Sequence, residues 1–223
     1  MSSTHDAAFT SLTSPRLVLI GDSDIAYWPK PLYPTYRGQT LPSIVSGHSG
    51  AILSEIVPAM ELVLKESKSY DLFIVACAGE NDIGDGISLD ETLHSLERLV
   101  NLIVQQTTSS NNKRNHHLLF LGPKFEPWLE DDAASKKKYA KMSRVIKRFF
   151  ERHLHSEMLH YIDCLTMFCG SSANIPGAVL GGKAKAEYRY FASDRLHLSD
   201  YGYRIWKETI ETTPIFQHIF RRM

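Results

Sequence analysis

Three short apolar runs, each closing on a glycine, constrain this chain more than any other feature. Arg16-Leu17-Val18-Leu19-Ile20 ends at Gly21, the run from Tyr70 to Ala78 ends at Gly79, and His117 to Leu121 stops at Gly122-Pro123. Continuous runs, as opposed to alternating ones, suit strands buried on both faces of a parallel sheet. Leu159 to Ile162 reads as a weaker fourth strand and Leu41 to Ser46 as another short one. Between the runs the period changes to helical. Residues 51–65 carry one apolar stripe, residues 89–106 repeat it, and residues 133–154 place Tyr139, Met142, Ile146, Phe149 and His153 on one side. The other side of that third helix carries Lys137, Lys141, Arg144, Arg148 and Arg152, which read as a solvated face. Ser199-Asp200 is placed to cap a last helix running through Ile205, Trp206 and Ile210. Strands alternating with helices predict an α/β fold, a three-layer α/β/α sandwich with right-handed crossovers.

With 223 residues, 43% of them hydrophobic, the chain has enough core for one domain. Residues 1–14 read as a flexible N-terminal segment, residues 15–223 as a single domain, and the polar stretch 107–115 as a surface loop. The 25 basic and 25 acidic side chains balance, which argues against a nucleic-acid partner or charge-held attachment to anionic lipid. No apolar run approaches the roughly 20 residues of a membrane span. The opening MSSTHDAAFT lacks a signal-peptide core, so a cytoplasmic or organellar location is expected. Cys77, Cys164 and Cys169 have no metal-type spacing. Cys77 reads as a small core residue, and a reduced Cys164 and Cys169 fit a chain without a secretion signal.

Four motifs carry the chemistry. Gly21-Asp22-Ser23 and Gly79-Glu80-Asn81-Asp82 each follow an apolar strand. Gly50 sits in Ser46-Gly47-His48-Ser49-Gly50 just before a helix start, and Asp194-Arg195-Leu196-His197 precedes the last helix. Ligands of α/β sheets bind outside the carboxyl ends of the strands, so these segments can meet on one rim. Singly, each residue has an ordinary reading: Ser23 as a helix N-cap, Gly50 as a turn residue, Asn81 as an Asx-turn residue, His197 as a loop histidine. Together, in this order, they supply a nucleophile, amide donors and an acid–base pair, which are the parts of an acyl-transfer site. Asp22 and Asp82 read as structural, bonding within their own turns. Ser49 in Gly47-His48-Ser49-Gly50-Ala51 is a decoy for the G-x-S-x-G elbow; that elbow normally follows several strands of its sheet, and Ser49 comes too early in the chain.

From Gly21 to the helix after His197, the chain resembles the SGNH hydrolases, the esterase/lipase family also called GDSL. The resemblance implies a flavodoxin-like sandwich with about five parallel strands. It implies Ser23 as nucleophile, with its N–H, the Gly50 N–H and the Asn81 side-chain amide forming the oxyanion hole. It implies His197 as general base and then acid, oriented by Asp194. One departure is Asp24, where the family usually has an apolar residue. A carboxylate there either meets a polar substrate or points away from the site.

Aromatic residues crowd the segments expected near the rim. They include Tyr27 and Trp28, Tyr33 and Tyr36 in a proline-rich stretch, Phe125 and Trp128, and Tyr188 and Tyr190. Such faces suit sugar rings or acyl chains. Asp24, Trp28 and Trp128 are the candidate substrate contacts. The expected substrate is a small-molecule or glycan acyl ester, with a short acyl group such as acetyl on a polar alcohol. The same triad serves an acyltransferase or thioesterase, and a fold of this kind also hosts non-catalytic binding proteins. No metal or organic cofactor is expected, because the histidines lack a partnered carboxylate or cysteine cluster. Sequence does not give the oligomeric state.

Overall fold

The computed structural model describes residues 14–108, 114–153, 155, 157–175, 177–179 and 181–221. Residues 1–13 of the expected N-terminal segment and 109–113 of the expected polar loop lie outside the described residues. The strands are β1 (Arg16–Gly21), β2 (Thr35–Tyr36), β3 (Gln39–Thr40), β4 (Ser43–Gly47), β5 (Leu72–Cys77), β6 (His116–Leu121) and β7 (Leu159–Ile162). The helices are α1 (Ser23–Ala26), α2 (Leu53–Glu66), α3 (Glu80–Gly84), α4 (Leu89–Thr108), α5 (Ala133–Arg152), α6 (Cys164–Cys169), α7 (Asp200–Thr212) and α8 (Pro214–Phe220).

Five strands form one parallel sheet in the order β4-β1-β5-β6-β7. The apolar runs explain why both faces are covered. Successive side chains of a strand point to opposite faces, and here neither set is polar. Val18, Ile20, Ile74, Ala76, Leu118 and Phe120 pack into one core with Ile56 and Met60 of α2, Leu99 of α4 and Ile146 of α5. Leu17, Leu19, Phe73, Val75, Leu119 and Leu121 pack into a second core with Phe168 of α6, Trp206 of α7, and Phe216 and Phe220 of α8. Register carries this through the sheet, with Ile20 beside Ala76 and Ala76 beside Phe120. The result is the three-layer α/β/α sandwich expected. The five basic side chains of α5 are exposed, as expected of a solvated face. No helix among the described residues is long and apolar enough to cross a membrane.

Two features differ from the expectation. The proline-rich stretch forms an antiparallel hairpin, β2 with β3, turning through Arg37 and Gly38, both left-handed. The chain also does not end its helices with α7. Pro214 has no N–H for a carbonyl of the preceding turn, so the helix stops, and Thr213 caps a new one by accepting the Phe216 N–H. Cys77, Cys164 and Cys169 are free and buried.

Candidate active site

β1 lies in the sheet with β4 on one side and β5 on the other, so three expected motif segments emerge side by side from adjacent strand ends. Ser23 is the first residue of α1, directly after β1. Asp22 caps that turn, its Oδ1 accepting the Asp24 N–H at 3.1 Å. N–H groups in the first turn of a helix have no intrahelical acceptor, which leaves the Ser23 N–H available to a ligand. α1 can sit this close to β4 only because residue 47 is glycine. A Cβ there would lie 2.3 Å from the Ala26 nitrogen.

The loop after β4 is tied to β1 by the His48 N–H, which donates to the Gly21 carbonyl at 2.8 Å. Gly50 follows with φ of +78°, a left-handed conformation that favours glycine. On the other side of β1, Asn81 lies in α3, and its Nδ2 donates to the Ala51 carbonyl at 3.0 Å. An amide nitrogen carries two hydrogens, so one remains for another acceptor. Asp82 bonds to its own backbone, as expected, and also reaches beyond its turn. Its Oδ2 accepts the Leu53 N–H at 2.9 Å and so caps α2 from across the site. Burial pushes its carboxyl up, against that N–H bond.

Asp194 and His197 form a pair on the loop before α7, with Asp194 Oδ2 2.7 Å from His197 Nδ1. Tyr27 links the pair to the strand-end segments. Its N–H donates to the Ser23 carbonyl at 2.9 Å, its ring meets the His197 ring edge-on at 4.7 Å, and its hydroxyl lies 3.3 Å from Ser49 Oγ. Among the described residues, neither Ser23 Oγ nor His197 Nε2 makes a hydrogen bond with the other. Such contacts are often loose before a substrate arrives.

The three candidate substrate contacts are placed differently from one another. Asp24 and Trp28 are turned inward, 1% and 3% exposed. Asp24 Oδ2 meets Lys124 Nζ at 2.6 Å, and Trp28 stacks on Tyr203 with its indole N–H on the Leu32 carbonyl. Among the described residues Asp24 Oδ1 is buried without a hydrogen-bond partner, so the carboxylate lies inside the fold and not on the substrate side, and Trp28 is a core residue. Trp128 stays at the surface, 54% exposed. Lys124 went unremarked in the sequence. The signal for it is a lysine right after Gly122-Pro123, at the end of an apolar strand, with acidic residues such as Asp24 and Glu80 in the other motifs to meet it.

Asp22, Asp24 and Cys77 bring three donor atoms within 4.8 Å of one another, all buried. The positive charge beside them is already supplied by Lys124. Burial also pushes the Cys77 thiol well up, which keeps it protonated and a poor metal ligand.

No protein-family model matches this sequence, and no curated protein matches it. Solved structures do match. A lipase from a goat rumen metagenome superposes with a TM-score of 0.63 at 16% identity, covering 87% of this chain and 95% of that one. A member of the lipolytic G-D-S-L family from Veillonella parvula gives 0.62 at 14%, covering 94% and 100%. A carbohydrate acetylesterase family member from Sinorhizobium meliloti gives 0.58 at 16%, covering 93% and 100%. At these identities the likeness is one of architecture, and it runs along nearly the whole chain. The chain has the fold of the SGNH, or GDSL, hydrolases.

Proposed function

We propose that this protein is a serine ester hydrolase. The observation that carries the reading is the Asp194–His197 pair, joined through Tyr27 to Ser23 at the start of α1. A carboxylate only accepts, so Nδ1 of His197 holds the proton and Nε2 is left as the base. Ser23 Oγ attacks the acyl carbon as Nε2 takes its proton. The tetrahedral oxyanion is met by the N–H groups of Ser23 and Gly50 and by the free hydrogen of Asn81 Nδ2. Collapse breaks the ester C–O bond, and His197 returns the proton to the departing alkoxide. Water then attacks the acyl-Ser23 ester, again through His197, and the carboxylic acid leaves.

A short acyl group on a polar alcohol, such as an acetylated sugar, fits the surroundings best. Tyr27, Trp128 and Tyr188 are exposed aromatic faces near this loop system, which suits sugar stacking. The likeness to a carbohydrate acetylesterase family member points the same way. The test is fluorophosphonate labelling with peptide mapping, on the native chain and on Ser23→Ala, followed by a panel of acetyl to palmitoyl esters. Labelling at Ser23 that disappears in Ser23→Ala supports the reading. Labelling at Ser49 overturns it, and a higher kcat/KM for long-chain esters overturns the acyl preference. Running the panel with added alcohol or thiol acceptors distinguishes hydrolysis from transfer.

A further inference from the structure

Lys124 is 1% exposed, and its ammonium sits among carboxylates from three separate segments. Nζ lies 2.6 Å from Asp24 Oδ2, 2.7 Å from Glu80 Oε2 and 3.4 Å from Glu126 Oε1. Its own backbone N–H donates to Glu80 Oε1 at 2.6 Å. Each carboxylate stands next to one part of the proposed site. Asp24 follows Ser23 and Glu80 precedes Asn81. Glu126 reaches the third part through Trp128, whose Nε1 donates to Glu126 Oε2 at 2.6 Å and whose backbone N–H donates to the Arg195 carbonyl at 3.2 Å. Arg195 lies between Asp194 and His197.

Stability alone is a weak reason for such a cluster. Buried ion pairs lose much of their attraction to desolvation, and apolar replacements of similar volume often stabilise as well or better. Burial works against the Lys124 ammonium, yet Asp24, Glu80 and Glu126 outweigh it and hold the lysine charged. What the cluster does achieve is geometric. One buried point carries the connection among β1, β5 and β6 past their last ladder pairs, Gly21 with Cys77 and Cys77 with Leu121, onto the rim, and joins the acid–base loop to it.

We propose that Lys124 is a positioning residue, a hub that sets the nucleophile, the oxyanion amide and the acid–base loop in mutual register through Asp24, Glu80 and Glu126–Trp128. This rests on the reading of Ser23, Asn81 and His197 given above. The hub touches no reacting atom. It acts through the residues beside it, and displacements of about 1 Å in such a site cost roughly 100-fold in rate.

The experiment is a kinetic cycle on the full chain with an acetyl ester. Glu80→Gln and Asp24→Asn keep side-chain shape and replace one carboxyl each by a neutral amide. Each is expected to lower kcat about tenfold or more, with KM within about twofold. In an Asn81→Ala background, Glu80→Gln is expected to cost less than about threefold, because the amide it holds is gone. A generally loosened fold predicts the same loss in both backgrounds. Trp128→Phe keeps an aromatic face at the surface and removes the donor to Glu126, so the larger effect is expected on kcat, with KM changing by no more than about twofold. Additive losses, or wild-type kcat in folded Glu80→Gln and Asp24→Asn, overturn the proposal. A raised KM with unchanged kcat in Trp128→Phe removes its third arm, making Trp128 a substrate contact. Ser23→Ala run alongside separates the two layers: activity surviving there sinks the site itself, whereas activity lost there and kept in the hub variants sinks only the hub.

Discussion

Asp194 meets His197 twice: Oδ2 lies 2.7 Å from ring Nδ1, and Oδ1 accepts the His197 backbone N–H at 3.0 Å. The same Oδ1 also accepts the Leu196 N–H at 2.9 Å. The turn this requires puts Arg195 at φ of +60°, a conformation costing an L-residue roughly 1–2 kcal/mol. The loop therefore holds strain in return for a fixed imidazole.

Asp194→Asn is expected to lower kcat about 1,000- to 10,000-fold with KM little changed, because the wrong tautomer of His197 is then favoured. The ring bond, helped by the two backbone N–H groups, pulls the Asp194 carboxyl down to about 2. A depressed carboxyl stabilises the fold above its unfolded value near 3.8 and loses that contribution as pH falls through about 2. The Tm difference between the native chain and Asp194→Asn should accordingly shrink between pH 5 and pH 2. A difference that grows in that window contradicts the sign.

Gly47 at the end of β4 and Gly50 in the loop after it should resist substitution for different reasons. Gly47→Ala drives a methyl into the backbone at Ala26, and is expected to destabilise by about 1–3 kcal/mol while shifting α1 and depressing kcat. Gly50→Ala meets nothing within 4 Å and is resisted only by its φ of +78°, roughly 1–2 kcal/mol. Denaturant midpoints with kcat on both variants check this, and equal loss of kcat in the two speaks against the close approach of α1 to β4.

Trp28→Ala should behave as a core deletion. The ring is enclosed by Tyr203, Trp206 and Tyr33, so the expected loss is about 3–5 kcal/mol of stability. KM of the folded fraction should stay at the native value. A raised KM at unchanged Tm returns Trp28 to the substrate.

His116 is buried at the start of β6 with Nδ1 unpartnered, and burial lowers its pKa from 6.5 to about 4. The unfolded chain binds this proton at a higher pH than the folded one does. Stability is therefore full above about pH 6.5 and declines as pH falls toward 4, by up to about 3 kcal/mol from this group. Burial lowers His117 and His160 as well, so they share the slope. His116→Phe should flatten urea-derived stability across that window, and an unchanged slope contradicts the assignment.

The fold was legible where the pattern is local. The runs at β1, β5 and β6 are apolar on both alternations, which only a doubly covered sheet satisfies, and the stripes of α2, α4 and α5 are long enough to fix their period. The hairpin β2–β3 was not legible, because two-residue strands carry no period and Arg37 gives no sign of its left-handed backbone. Nor was α8, whose seven residues follow Thr213-Pro214 too closely to separate from α7. At the site, the segments carrying Ser23, Gly50 and Asn81 lie on adjacent strand ends, as their places after apolar runs suggest. Asp24 and Trp28 were harder, since i+1 and i+5 from a turn residue give no direction. Lys124 sits in another segment altogether, and its partners become neighbours only once β1, β5 and β6 are side by side.

The place of β1 between β4 and β5 also orders events in time. Ser23 is synthesised well before His197. Every pairing in the main sheet is parallel, so each waits for a complete crossover before it can close. On the proposed mechanism, a nascent or half-folded chain thus carries an ordinary serine hydroxyl, with neither base nor donors yet assembled around it. On the same mechanism, nucleophilic reactivity arrives only when the segment carrying His197 docks, so the rate at which Ser23 becomes acylable by a fluorophosphonate during refolding is expected to report that docking step.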